Sequence, residues 1–204
     1  ALLVSKTIFF YYYKIIKFKN NKNNKNNKKA LVIGNGPSLA SFKYDRGEEY
    51  DVFCVNNYPK SSDFFTIKPN FLTFIDSMFW VSYDILNKDV SNNVKDTYVS
   101  INRVSWKITI IIPKISETII KSRIINKNVD FIFLYETGYE FESTWLAQLS
   151  LKIGLSPPRF NVVVTSLHVS ILLGYREVDI VGLDMNRFAD LSVDKENNTV
   201  TFCP

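Results

Sequence analysis

Several apolar runs along this chain stop abruptly at a glycine, an amide or an acid. Residues 30–33 (Ala-Leu-Val-Ile) run into Gly34-Asn35-Gly36, and residues 50–55 run into Asn56 and Asn57. Residues 70–76 close on Asp76, and residues 177–184 close on Asp184. Short runs that stay apolar without alternating are the pattern of strands buried on both faces, which is the state of strands in a parallel sheet. Two more such runs cover 107–112, stopped by Pro113, and 130–135. Helical patterns are expected over 77–90, over 141–153 with Gly154 closing it, and over an almost wholly apolar stretch from Val162 to Leu173. Asn161 is placed to cap that last helix and Gly174 to end it. The stretch 91–105 fits neither period, and 155–160 reads as a loop. Strands alternating with helices predict an α/β chain: a three-layer sandwich around a mostly parallel sheet.

In an open parallel sheet, ligands bind beyond the carboxyl ends of the strands. Asn35, Asn56 and Asp76 each end an apolar strand, so they are candidates for one polar ring around a pocket. The competing reading is that they are turn and N-cap residues, a role both types favour. The first strand turn adds a second candidate. Gly34-Asn-Gly36-Pro-Ser38 joins a strand to what should be a helix, with Pro37 suited to its first position. Glycines admit a phosphate to the backbone, and a helix N-terminus offers unpaired N–H groups and a positive dipole end. The third glycine of a dinucleotide fingerprint is absent, and no Gly-Lys-Ser/Thr follows. The turn is therefore either a phosphate site for a nucleotide-type ligand or an ordinary strand-to-helix connection.

Composition narrows the partners. The chain has 204 residues, enough for one sizeable α/β domain, and carries a net charge of +5. Residues 1–30 hold eight lysines and no acid, which leaves 17 basic and 20 acidic residues and a net −3 for the rest. The basic balance belongs to a tail and does not point the body at nucleic acid. Cys54 and Cys203 lack metal or redox spacing, and Cys54 falls within a strand pattern as a buried thiol. The lone histidine, His168, lies inside the apolar helix and reads as a satisfied core residue. Trp80, Tyr83 and Trp145 read as core or lid packing.

Residues 1–18 are aromatic and apolar with interspersed lysine, and the uncharged stretch 7–13 is too short to span a bilayer. Such a segment can lie on a membrane surface or pack on the domain. Residues 19–29, Lys/Asn only, read as a solvated linker. The expected organisation is thus a basic aromatic segment and linker over 1–29, then one ligand-binding domain over 30–204. Ala1 at one end and Pro204, just after a strand-like 199–202, read as the ends of a fragment.

Three segments together resemble the bacterial sialyltransferases of glycosyltransferase family 42, and the related polysaccharide-locus proteins labelled pterin-pyrophosphokinase-like. They are Val32-Ile-Gly-Asn-Gly-Pro-Ser-Leu39, Tyr50-Asp-Val-Phe-Cys-Val-Asn56, and Leu173-Gly-Tyr-Arg-Glu-Val-Asp-Ile-Val-Gly-Leu-Asp184, and the likeness spans roughly residues 30–200. The resemblance implies a Rossmann-like fold that binds CMP-sialic acid or another nucleotide-activated sugar, takes a glycan acceptor, and needs neither metal nor cofactor. It implies donor contacts from Asn35 and Asn56, and backbone contacts to phosphate around Gly34, Gly36 and Ser38. It places Asp76, Asn161 and Asp184 in the same region. Two departures stand out: Asn161-Val-Val where those enzymes have a donor-contacting serine, and Asp76 where they have asparagine. The family's catalytic histidine would lie beyond Pro204, and 193–200 would be the hairpin preceding its lid. The implied location is the cytoplasm, at the inner membrane face if residues 1–29 dock there. Rival expectations are a magnesium-dependent pterin diphosphokinase, with Asp76 and Asp184 as metal ligands, and a non-catalytic nucleotide- or membrane-binding module.

Overall fold

A computed structural model describes residues 29–42, 44, 50–136, 145, 155–156, 161–184, 191–194, 197 and 199–202. The expectations for residues 1–28, for Cys203, and for the helix over 141–153 apart from Trp145 lie outside these.

The apolar runs form the strands of a parallel sheet. In chain order they are β1 (Lys29–Ile33), β2 (Tyr50–Val55), β3 (Phe71–Thr73), β4 (Ile108–Pro113), β5 (Val129–Glu136), β6 (Leu155–Ser156) and β7 (Val178–Val181). They line up as β6-β5-β4-β3-β2-β1-β7, seven strands, every neighbouring pair parallel. The chain builds the sheet outward from β1 in one direction and then returns to place β7 on the other side of β1. The α/β, Rossmann-like sandwich expected from the sequence is what forms.

Alternate residues of each strand face opposite layers. Leu31, Ile33, Val52, Cys54, Leu72 and Ile110 pack against Val94, Tyr98 and Ile101 of helix α2 (Lys88–Asn102) and Ile120 of helix α3 (Glu117–Arg123). Ala30, Val32, Phe53, Val55, Phe71 and Ile111 face the other way, onto Val163 and Val169 of helix α4 (Val162–Leu172) and onto Leu173. Helix α1 (Phe64–Ile67) is a single turn between β2 and β3.

Two contacts fix the direction of α4. Ser166 Oγ donates to Thr73 Oγ1 at 2.8 Å, at the end of β3. Tyr175, just past α4, donates its hydroxyl to the Asp51 carboxylate near the start of β2. The helix therefore runs against the strands, and its N-terminus lies on the carboxyl edge of the sheet. Beyond β7, β8 (Leu191–Asp194) and β9 (Thr199–Phe202) pair antiparallel as a separate ribbon, in the region where a hairpin was expected.

Several boundaries differ from the sequence expectation. Lys29 belongs to β1 and not to the linker, because its backbone pairs with Tyr50 and its ammonium with Glu177 at 2.6 Å. The helix expected over 77–90 is instead two 3-10 turns, Ser77–Phe79 and Tyr83–Ile85, and the true helix starts at Lys88 and occupies the ambiguous stretch. Asn87 decides this, since its side chain caps the first turn by accepting from the Val90 amide at 2.8 Å. Part of the expected 155–160 loop, Leu155–Ser156, is a short edge strand. The strand expected over 70–76 contracts to Phe71–Thr73, with Phe74 and Ile75 still buried beyond it.

Candidate functional site

The expected site residues come together on the carboxyl edge, at two stations joined by Asn35. The first station is where β1 and β7 part, the point at which the strand order reverses. Beyond β1, the Gly34 amide donates to the Val181 carbonyl at 2.8 Å and the Gly36 amide to the Gly182 carbonyl at 2.8 Å. The two chains cross backbone on backbone. A Cβ on Gly34 would drive into the Gly182 carbonyl, with its carbon only 2.9 Å away. A Cβ on Gly36 would lie 2.7 Å from that same oxygen and 2.8 Å from the Asp184 amide nitrogen. Gly182 itself sits at φ +67°, a conformation that favours glycine. The crossing alone accounts for all three glycines.

The segment after Gly36 is not the expected α-helix. Pro37–Ser41 is a 3-10 helix of five residues. Its Ser38 amide donates to the Asp184 carboxylate at 2.7 Å. The anion at this turn is therefore the protein's own Asp184, which ties the end of β7 to the end of β1. Of the two sequence readings, the structural connection accounts for every contact seen here.

The second station lies where β2 and β3 end. Asn56 has left-handed backbone, φ +47°. Its amide donates to the Thr73 carbonyl at 3.0 Å, and its side-chain Nδ2 donates to the Asp76 carboxylate at 2.9 Å. Its Oδ1 is buried and has no hydrogen-bond partner among the described residues. Asp76 opens the Ser77–Phe79 turn, yet its carboxylate makes no cap bond there and goes to Asn56 instead. The plain N-cap reading thus fails for Asp76. Asn35 leans from β1 toward this station, its Nδ2 donating to the Val55 carbonyl at 3.4 Å. Asn57 is spent on the fold, accepting from Thr97 Oγ1 of α2 at 3.0 Å.

Asn161 caps α4, its Oδ1 accepting from the Val163 amide at 2.8 Å. It shares the carboxyl edge with the other candidates, but its side-chain oxygen serves the helix. The carboxylates of Asp76 and Asp184 thus line the edge, and at the second station the buried oxygen of Asn56 is a further acceptor that no described residue bonds. Asp76 and Asp184 stand beyond β3 and β7, with β1 and β2 between them, so they do not converge. Among the described residues, no three of His, Cys, Asp and Glu gather as a metal site would require.

His168 is buried on α4, as expected of a core residue, but its Nε2 has no partner among the described residues, so it is not satisfied there. Burial pushes its pKa below the ordinary histidine value. Cys54 is a buried thiol whose pKa burial pushes well up, so it is unreactive. Trp80 is buried and Trp145 exposed.

Sequence reasoning missed Gly182, although a glycine directly after a β-branched run is a recognisable signal for a close crossing. It also missed Arg123, which holds the loop after Asp76 from a distant helix and has no local sequence signature. Comparison with protein-family models, with curated proteins and with solved structures finds no match.

Proposed function

We propose that the carboxyl edge of this sheet, centred on Asn56, binds a nucleotide-activated sugar, and that the chain is the donor-binding domain of a glycosyltransferase of bacterial surface-polysaccharide assembly. The observation that carries the reading is Asn56. A non-glycine residue held in left-handed backbone, with a buried amide oxygen that none of the described residues bonds, costs stability at a place where parallel sheets bind ligands. A ribose or sugar hydroxyl, or a base amino group, would supply the missing donor once the half-buried Asn56 side chain turns its oxygen to the surface. Asp76 adds a second acceptor next to it. The closed Gly34–Ser38 turn leaves the donor phosphate to other groups of the same edge, where the N-terminus of α4 is an electrostatically favourable neighbour.

The family likeness makes CMP-sialic acid one candidate donor. The carboxylate of Asp76 favours a donor whose buried groups are hydroxyls or amines, because it repels a second carboxylate. A glycan is the acceptor in this reading, and residues 1–29 provide peripheral contact with anionic membrane. The diphosphokinase alternative gains no support from Asp76 and Asp184, which stand apart and are each already bonded.

The test is calorimetric titration of the folded chain with CMP, UDP and ATP, each with and without magnesium. The reading expects CMP or UDP to bind without metal, and to bind about tenfold more weakly to Asn56→Ala. Binding of ATP alone, and only with magnesium, would favour the diphosphokinase; no binding by any nucleotide would end the proposal.

A further inference from the structure

We infer that Arg123 is a positioning residue for this edge: it sets Asp76, and through Asp76 the side chain of Asn56, by holding the 77–86 loop that follows Asp76. The inference rests on the reading of Asn56 given above.

The loop needs an external anchor. It leaves β3 at Asp76 as two 3-10 turns and not as a helix, so its carbonyls are not used up by a helical ladder. Arg123, in the last turn of α3, supplies the donors. One guanidinium nitrogen donates to the Phe79 carbonyl at 2.7 Å and the other to the Val81 carbonyl at 2.7 Å. The planar group also lies over the Tyr83 ring, 4.1 Å from its centre. Two charge-assisted bonds and a stacked ring hold three successive parts of the loop at once, a combination the planar fork of arginine provides and an ammonium does not.

Arg123 is itself held. Asn102 Nδ2, at the end of α2, donates to the Arg123 carbonyl at 2.9 Å, and Asn102 Oδ1 accepts from the Ile125 amide at 3.0 Å. Tyr98 of α2 donates its hydroxyl to the same Phe79 carbonyl. No carboxylate is bonded to Arg123 among the described residues; its charge is committed to loop carbonyls and rings.

From that anchor the connection to the site is a continuous set of bonds. Arg123 fixes the Phe79 carbonyl. The Phe79 amide donates to the Asp76 carbonyl at 3.2 Å, and its fully buried ring stacks on Phe74 with centroids 4.3 Å apart. Asp76 in turn accepts from Asn56 Nδ2 at 2.9 Å. Asp76 is exposed, so no packing of its own holds the carboxylate in place. Its direction is inherited from the turn behind it.

The experiment follows the Asn56 side-chain amide by ¹⁵N NMR in the 1–204 chain, with Asp76→Ala marking the signal of an uncoupled Asn56. In Arg123→Met the Asn56 amide pair should move most of the way to its Asp76→Ala position while the backbone amides of β1 and β2 stay put. Arg123→Lys, which keeps the charge but not the fork, should move it part of the way. Should Arg123→Met fail to fold, Arg123→Lys and Tyr83→Leu decide, since each weakens the anchor alone. An unmoved Asn56 signal in the folded variants overturns the inference. CMP and UDP titrations run alongside, and affinity should fall about tenfold in step with the Asn56 shift. If neither nucleotide binds the wild type, the functional reading fails, and the Asn56 signal still decides the role of Arg123.

Discussion

Replacing Asn56 by glycine separates ligand recognition from stability, because the two should move in opposite directions. In the free protein this residue carries two unfavourable features. Its φ of +47° costs an L-residue roughly 1 kcal/mol, though asparagine tolerates it better than most. Its buried, unpaired Oδ1 costs about 1–3 kcal/mol. Glycine removes both. Against this, the variant loses the bond to Asp76, worth about 1 kcal/mol at most because Asp76 is exposed. It also loses about 0.5–1 kcal/mol to the greater freedom of glycine in the unfolded chain.

The balance for Asn56→Gly lies between no change and about 2 kcal/mol of added stability. Asn56→Ala keeps the left-handed strain of roughly 1 kcal/mol but escapes the glycine entropy cost, so it should fall no more than about 0.5 kcal/mol below the glycine variant. Both variants should bind CMP or UDP about tenfold more weakly, a loss of about 1.4 kcal/mol. Urea unfolding measures the first quantity and calorimetry the second. An Asn56→Gly protein destabilised by more than about 1 kcal/mol would show that the residue serves the fold. A variant of unchanged affinity would show that its oxygen meets no ligand.

Gly34→Ala should destabilise by about 2 kcal/mol or more in urea unfolding, because its Cβ meets the Gly182 backbone, which has no rotamer to yield; wild-type stability would refute the close crossing. Tyr175→Phe should cost about 1–3 kcal/mol by the same measurement, since it takes a partner from the Asp51 carboxylate at 3% exposure. Lowering the pH should destabilise the protein through His168. Its folded pKa is depressed, so the unfolded chain binds the proton first, and stability is lost as pH falls below about 6.5, by up to about 1.4 kcal/mol per unit until the folded pKa is reached. Thermal melts of wild type and His168→Gln between pH 7.5 and 5.5, a span of about 2 units, should show that slope only in the wild type.

The middle of the sheet was legible because β1 to β4 are buried on both faces, and burial on both faces writes itself as a mostly apolar run. The runs at 30–33, 50–55 and 107–112 need almost no tertiary knowledge to read. The 77–90 stretch is the opposite case. Phe79, Trp80 and Tyr83 recur at spacings a helix would use, but Phe79 is buried by stacking on Phe74, and its carbonyl is held by Arg123 some forty positions later in sequence. A donor that remote leaves no periodic trace. The true start of α2 had a local mark, Asn87, whose cap bond outweighed the aromatic spacing before it.

The site divides along the same line. Sequence could place Asn35, Asn56 and Asp76 at strand ends, because strand ends are local. It could not decide between a ring of ligand contacts and a set of caps, because that depends on where each side chain turns. Asn161 and Asp76 show the two outcomes. Asn161 spends its oxygen on the Val163 amide, whereas Asp76 leaves its own turn uncapped and meets Asn56. The glycine turn needed a partner from the far end of the chain before its chemistry could be read. Without Gly182 and Asp184, two glycines before Pro37 and Ser38 describe an open cradle. With them, the cradle is filled by a backbone crossing and a carboxylate. Substitution of Gly36 therefore reports on folding and not on phosphate affinity, and the side chain that bears the question of ligand binding is Asn56.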